Sequence, residues 1–541
     1  MALLLSHKLR FRHCPAWGTP VERFRWSLYN PGAINHPRQS LKGKEPDMAK
    51  KRMKKRATQL APNVLIVLLD TATADLLSCY GRYKDTTPRF DRLAAEGVRF
   101  ANAYTSGPWT PPSHASLFSG LPSIANGISH DAINIENHLM FEKCKWSGKF
   151  PTMASTLGAN GYDTVGVCAN SWVGSKSNIC WGFDYWIENI GEGARAIRGR
   201  TGRKPHRHAS TTNLLYWMDT RRSEARPWFC FVNYATPHLM RKPLPQFQKK
   251  FIKGKVPEYL KEIGSGNCFE YLWNGMLKKK DMPAFIKLYV ALAAQVDWEI
   301  EEMLTGLEQR GLLDNTLVFL VSDHGDENAE HNLLDHQMCV YNTLIHIPMI
   351  AWCPGRLPAG LVVEKNAQML DIFPTVLDMA GLHAVREKLE LPGMNLFTEV
   401  AHQTDERLIV SEHGVPKIIL DNMGQKVDPE VSAPYLRLLK CAIEGNWKYI
   451  WGSDGREELY DMAKDPIEQN DLSKRNRAKA KSLKRKLVGW CKSYGKPLKQ
   501  DGMSDKQRLA LAEWLFHHEY DKPATIAYMR KWQKKRAKAW P

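Results

Sequence analysis

The sequence predicts an α/β protein, a layered sheet with helices packed on both faces. Short apolar runs such as NVLIVLLD (63–70), WFCFVNY (228–234) and TLVFLVSD (316–323) have the length and unbroken hydrophobicity of fully buried parallel strands. Segments with helical apolar spacing and glycine stops lie between them. The strands also end on polar residues, as expected where a site forms at the carboxyl edge of such a sheet. With 541 residues, 43% hydrophobic and 10% aromatic, the chain can bury a large core, which excludes a wholly disordered chain.

Taken in order, residues 1–61 read as a basic, unstructured extension. From Met48, MAKKRMKKRATQLAP reads as a basic leader, which leaves residues 1–47 as a disordered segment or as upstream translation. The first strand, NVLIVLLD, delivers Asp70. A Thr-Pro start, the Phe90/Leu93/Ala94 spacing and Gly97 predict a helix over 88–96. FPTMASTLGANGYDTVGVCA (150–169) repeats the logic as helix, turn and strand, and RPWFCFVNYATPH (226–238) is a strand running into a polar loop that carries His238. A long helix from about 288 precedes the strand that delivers Asp323. After residue 395, short alternating strands with turns at Gly445-Asn446 and Asp454-Gly455 indicate a smaller α+β unit. The expected division is therefore 1–61, a catalytic domain over 62–394, a subdomain over 395–473 and a basic helical tail over 474–541.

The net charge of +19 sits at the ends: residues 1–62 hold 14 Lys/Arg against 3 acids, and residues 474–541 hold 20 against 5. Such runs suit contact with a polyanion or an anionic membrane surface, against the simpler expectation of solvated tails. The terminal RKWQKKRAKAW, with its two tryptophans, is open between anionic lipid and single-stranded nucleic acid. Eleven scattered cysteines without CxxC pairs suit reduced thiols in a cytoplasmic protein. The opening MALLLSHKLRFRHC lacks a cleavage site for secretion, and no apolar run reaches the roughly 20 residues of a transmembrane span.

Three segments carry the chemistry: Asp70 at a strand end, SGPWTPPSHASLFSG (106–120) and SDHGDENAEHNLLDHQ (322–337). Each alone has a structural reading, and Thr-Pro-Pro in particular is a good helix start. In this order they resemble the sulfatase family of the alkaline phosphatase superfamily. TPPSHASLFSG lies over the C/S-x-P-x-R-x-x-x-x-T-G signature, with Thr110 at the nucleophile, Pro112 at the proline, His114 at the arginine and Gly120 at the glycine. NVLIVLLDTATADLLSCYG and VSDHGDENAEHNLLDHQ resemble the two metal-binding segments, and MLDIFPTVLDMAGL, LPGMNL and NWKYIWGSDGREELYDMAKDP resemble later landmarks, so the likeness spans about 62–480. It implies an alkaline-phosphatase-like α/β/α sandwich with a large mixed central sheet, and a smaller C-terminal α+β subdomain. It also implies a metal-dependent ester hydrolase with specificity loops near 187–213 and 240–285.

The departures refine the expectation. Family sulfatases oxidise Cys or Ser to formylglycine, but the same oxidation of Thr110 would give a ketone. Formylglycine is therefore excluded, while a threonine alkoxide can still attack phosphorus. The leading expectation is hydrolysis of phosphate mono- or diesters through a phosphothreonine. The alternatives are a sulfuric ester hydrolase without formylglycine, a phospho-group transferase and an inactive polyanion-binding scaffold. The resemblance implies a metal set of Asp70, Thr110, Asp323 and His324, with His336 and His238 open between a second ion and substrate contact; His238 is favoured for substrate. The imidazole favours zinc or manganese, with calcium or magnesium as further candidates. The helix opening at Thr110 is expected to aim its amides and dipole at the anion, and His238 to serve the leaving oxygen. His114 is open between electrostatic support of the nucleophile and a hydrogen-bonded supporting role. Asn126 stands at a family substrate-binding position, with His130 open as a substitute. Asp297 is expected as a buried helix contact, Lys448 as a sheet-edge lysine or phosphate contact, His331 as a supporting residue, and Tyr341 and Trp352 as core.

Overall fold

The computed structural model describes residues 11–12, 61–128, 146–189, 208–403, 406–415 and 427–517. Its main sheet has nine strands: β1 (Phe11–Arg12), β2 (Asn63–Leu69), β3 (Val98–Phe100), β4 (Asp163–Cys168), β5 (Tyr185–Glu188), β6 (Trp228–Tyr234), β7 (Thr316–Ser322), β8 (Met349–Trp352) and β9 (Leu361–Val363). Their spatial order is β1-β5-β4-β6-β2-β7-β8-β3-β9. The central run β5-β4-β6-β2-β7 is parallel, while β8 is antiparallel to both β7 and β3, which makes the sheet mixed.

Alternation along each strand serves two cores. Val64, Ile66 and Leu68 face one side with Phe229, Phe231, Leu317 and Phe319; Leu65, Val67 and Leu69 face the other with Cys230, Val232, Val318 and Leu320. The first face is covered by α2 (Thr110–Ser119), α3 (Met153–Ala159) and α6 (Ile372–Met379). The second is covered by α1 (Pro88–Glu96), α4 (Ala209–Thr220) and α5 (Met282–Glu308). Both faces are thus dry, which is why these strands are continuously apolar rather than alternating. Each fully buried Leu, Ile or Phe contributes about 1.5–3 kcal/mol. The expected α/β/α sandwich is present.

A second, antiparallel sheet of four strands follows: β10 (Ile409–His413), β11 (Leu439–Glu444), β12 (Trp447–Gly452) and β13 (Glu457–Asp461), paired in that order. The β11–β12 turn carries Gly445 at φ +55°, a left-handed conformation that favours glycine. Against this sheet packs α7 (Arg477–Ser493), with Ala480, Leu483, Leu487 and Cys491 buried in the same cluster as Cys441, Ile443 and Tyr449. The boundary expected at 473/474 therefore cuts through one core: the basic segment begins as a helix of the small domain, and α8 (Asp505–His517) adds Leu511 and Ala512 to it. Most of the N-terminal extension, and residues 518–541 with RKWQKKRAKAW, lie outside the described residues. Among the described residues no helix is long and apolar enough to cross a membrane, and the nine cysteines there are free thiols.

Candidate active site

Adjacent parallel strands build the site. β2 and β7 pair in register up to Leu69 opposite Ser322, so the next residues, Asp70 and Asp323, leave the sheet side by side. One ligand atom from each of Asp70, Asp323 and His324 lies within 4.8 Å of the others, and all three side chains are fully buried. The Asp323 carboxylate accepts the Thr71 N–H (3.1 Å) and the His324 N–H (2.9 Å) on Oδ1. Its Oδ2 has no hydrogen-bond partner and faces His324 Nε2 at 3.4 Å. The turn holding this geometry is strained: Thr71, a β-branched residue, sits at φ 69°.

The donor set fits a divalent cation. His324 Nδ1 lies 2.9 Å from the Gly325 carbonyl, which fixes the proton there and leaves the Nε2 lone pair toward the carboxylates. Burial and the neighbouring His336 hold the His324 pKa well below its ordinary value, so the ring is neutral. Burial and the Asp70 charge push the Asp323 carboxyl well above the usual range. Burial would raise Asp70 too, but His238 and the Asn170 amide hold it low. Two buried carboxylates thus compete for one charge, and a cation relieves the conflict. An unpartnered carboxylate oxygen beside an imidazole nitrogen with its lone pair available is a donor pair suited to a divalent ion.

Thr110 is the first residue of α2, nearly buried, with Oγ1 3.4 Å from His324 Nε2. The expectation that the helix amides cradle an anion narrows here. Pro111 and Pro112 have no N–H, and the Ser113 N–H already bonds the Trp109 carbonyl at 3.4 Å. The dipole remains; of the first-turn amides before Ser113, only that of Thr110 exists.

The other expected residues fall into place around this centre. His114, one turn along α2, is fully buried and donates from Nδ1 to the Thr110 carbonyl (2.9 Å), with Phe118 and Phe231 against its ring. Burial lowers its pKa to about 4, so it brings no positive charge to the family's arginine position. The hydrogen-bonded reading is the one its surroundings favour. His336 stacks on His324 with ring centroids 4.5 Å apart, but its Nδ1 is bound to Asp335 and its Nε2 lies 3.2 Å from the Gln337 amide. His336 thus packs on the candidate ligand His324 with its ring nitrogens beside Asp335 and Gln337. His238 is half-buried, 5.3 Å centroid to centroid from His336, and its Nδ1 is held by the Leu239 carbonyl at 2.7 Å, which leaves Nε2 free of that bond.

Lys448 also needs correction. It lies on the interior strand β12, fully buried, 2.6 Å from Glu468 and 3.1 Å from Asn342 Oδ1, and is neither a sheet-edge residue nor a substrate contact. Asp297 is a buried helix contact: it accepts the Arg89 and Phe90 N–H groups at the start of α1 (3.2 and 2.9 Å). Asn126 is spent on Leu121 and Ile128 (2.9 Å each), and His331 on Glu327 (2.9 Å) and the Ile467 carbonyl (2.8 Å). Tyr341 stacks on His331 and Trp352 packs on the second core. His130 and residues 190–207 of the expected specificity loops lie outside the described residues.

Two asparagines escaped the sequence reading. Asn170 Nδ2 donates to Asp70 Oδ2 at 2.7 Å and lies 3.3 Å from Thr110 Oγ1; Asn233 Nδ2 lies 3.3 Å from Asp70 Oδ2. Both stand at or just beyond the carboxyl ends of central strands, β4 and β6, and that position was the available signal.

Comparison with known proteins follows the same lines. The family profile described as Sulfatase matches residues 62–382. Arylsulfatase K of Mus musculus is 24% identical over 471 residues, covering 80% of this chain and 79% of its own. An arylsulfatase of Clostridium perfringens is also 24% identical, over 76% of this chain and 90% of its own. Among solved structures, the phosphonate monoester hydrolase of Agrobacterium radiobacter aligns with a TM-score of 0.58 at 18% identity, over 80% of this chain and 96% of its own. A protein solved with D-glucosamine-2-N,6-O-disulfate as its substrate aligns at 0.60 and 20%, over 83% and 100%. At these identities the structural likeness is one of fold.

Proposed function

The chain belongs to the sulfatase family, and from that premise we propose that it hydrolyses phosphate mono- or diesters with Thr110 as the nucleophile. It is a sulfatase-like ester hydrolase, and the family is metal-dependent. The observation that carries the narrower reading is the position of Thr110 Oγ1, 3.4 Å from His324 Nε2 and 3.3 Å from Asn170 Nδ2, at the opening of α2. A residue with a methyl on Cβ cannot become an aldehyde, so the nucleophile is the unmodified hydroxyl oxygen.

Asp70, Asp323 and His324 would hold a divalent ion, with Thr110 at its edge; the imidazole favours zinc or manganese over calcium or magnesium. When bound, such an ion supplies Lewis-acid stabilisation of the anion and lowers the pKa of the Thr110 hydroxyl. The chain's own groups do the rest. With its proton released to solvent, Oγ1 attacks phosphorus in line; the Oγ1–P bond forms as the bond to the leaving oxygen breaks. His238 hands a proton to that oxygen, then takes one from the water that releases phosphate. The α2 dipole favours the negative charge at its amino end. Asn170 and Asn233 hold the Asp70 carboxylate in place.

A sulfuric ester is the second reading, supported by the relatives' own names: arylsulfatases, and a delta 4,5-hexuronate-2-O-sulfatase of Bacteroides thetaiotaomicron at 23% identity. Parallel turnover of nitrophenyl sulfate, nitrophenyl phosphate, bis-nitrophenyl phosphate and a phenyl phosphonate ester, with each metal in turn, separates the two. Preference for phosphorus with zinc or manganese is expected. Preference for sulfate overturns the phosphate reading.

A further inference from the structure

We propose that Arg241 is a positioning residue, which sets the loop of His238 against the metal-binding segment so that His238 meets the leaving oxygen. The proposal rests on His238 serving that oxygen, and it holds for a phosphate or a sulfate ester alike. Residues 235–244 join β6 to the helix Pro245–Phe251 without any helix or strand of their own. Arg241, three residues past His238, is fully buried. Its Nη2 donates to the Asp326 carboxylate and its Nη1 to the Phe285 carbonyl at 3.2 Å. The guanidinium also lies 4.1 Å from the ring centroid of Phe285 and 4.5 Å from that of Tyr289.

Two of these partners lead to the catalytic centre. Asp326 follows His324 by two residues, across Gly325, where an added Cβ would fall 2.0 Å from the Thr343 carbonyl oxygen. That turn is therefore packed too tightly to shift by itself. The Tyr289 hydroxyl donates to the Thr71 carbonyl and accepts the Thr73 N–H at 3.2 Å, which clamps the left-handed Thr71 beside Asp70. The loop has further anchors, since Thr236 donates to Glu299 and the Leu244 N–H to Gln295 at 2.8 Å. Those acceptors belong to α5, whereas Arg241 reaches α5 and the His324 segment together. A buried ion pair is weak evidence for stability, because apolar side chains of like volume hold a fold about as well. What they lack is direction: a planar fork bonded at two nitrogens and packed on two rings fixes orientation as well as distance.

The test replaces both charges at once, Arg241→Met with Asp326→Asn, so that neither is left buried alone. For the acid that the enzyme prefers, kcat/KM is measured with its nitrophenyl and its phenyl ester. Nitrophenolate departs unaided, while phenol, with a pKa near 10 like the tyrosine side chain, gains from a proton delivered as it leaves. A misplacement of about 1 Å can cost about 100-fold, so the phenyl-to-nitrophenyl ratio should fall by about 10- to 100-fold. Bound metal and melting temperature should stay near the parent's. Arg241→Lys keeps the charge but not the fork; it should lower the ratio in the same direction and by less, and it carries the test should the double variant fold poorly. An unchanged ratio overturns the proposal. So does an equal loss on both esters, or loss of the bound metal, since the pair would then serve the fold or the metal segment rather than His238. His238→Ala separates the two readings. If it leaves the ratio unchanged, the role given to His238 fails and the positioning role with it; if it lowers the ratio while the Arg241 variants do not, the positioning role alone fails.

Discussion

Asn170→Ala removes a side chain that touches both the Asp70 carboxylate and the Thr110 hydroxyl, at 2.7 and 3.3 Å. A hydrogen bond to a charged group contributes about 1.5–3 kcal/mol. Asn233, at 3.3 Å from the same Asp70 oxygen, retains part of the support, which places the loss within that range rather than above it. If the contact tightens in the transition state, kcat should fall roughly ten- to 150-fold with little change in KM. The assay is steady-state hydrolysis of the substrate preferred in the parallel panel, with bound metal quantified on the same samples. Asn170→Asp sharpens the reading. It sets a new carboxylate against Asp70, so the chain should keep its metal at least as tightly while kcat drops further, as like charge opposes the anionic substrate. A kcat within twofold of the parent for the alanine variant would refute the reasoning, as would a loss confined to KM.

Other outcomes follow from the same geometry. Lys448→Met strands Glu468, whose own pKa burial has already raised, and should cost about 3–5 kcal/mol in urea unfolding; adding Glu468→Gln should recover much of that loss. His208 caps α4 through Nδ1, accepting the Ser210 N–H, and burial lowers its pKa to about 3 from an ordinary 6.5. Below pH 6.5 the unfolded chain takes a proton that the folded chain refuses, so this stabilisation is complete above 6.5 and fades as pH falls toward 3, by about 1.4 kcal/mol per unit. His208→Asn keeps the cap acceptor and should make stability less steep between pH 4.5 and 6.5 by about one proton. Dialysis against a chelator should abolish turnover, and zinc or manganese at about 100 times Kd should restore it while adding about 2.7 kcal/mol to stability in thermal melts.

How much of this was legible follows from how local each feature is. Asp70 and Asp323 could be read because a run of five or six buried apolar residues leading to an acid is a strong local pattern, and the register of β2 with β7 follows once both strands are recognised. Thr110 could be read because its proline spacing and Gly120 stop are contiguous. Asn170 was missed because a lone asparagine after a strand is usually a turn residue, Asn233 because it sits within an apolar strand, and only the tertiary path of β4 and β6 brings the pair to Asp70. Lys448 was misread since its partner, Glu468, comes from a loop beyond β13, and nothing local distinguishes an interior strand from an edge. The contacts of the His336 ring with Asp335 and Gln337 were not legible, since they depend on the positive φ of both neighbours. The 473 boundary followed the charge change, although Ala480, Leu483, Leu487 and Cys491 already spell an amphipathic stripe.

The central claim is that an unmodified Thr110 becomes phosphorylated during turnover. It is tested most directly by acid-quenching the metal-loaded enzyme with a phosphate ester and mapping its peptides by mass spectrometry. The expected result is an unoxidised threonine in the resting peptide that spans residue 110, and one phosphoryl group on that residue after the quench. Thr110→Ala should show neither the adduct nor turnover. Turnover by Thr110→Ala at the parent's rate, or a phosphoryl group found on another residue, would contradict the assignment.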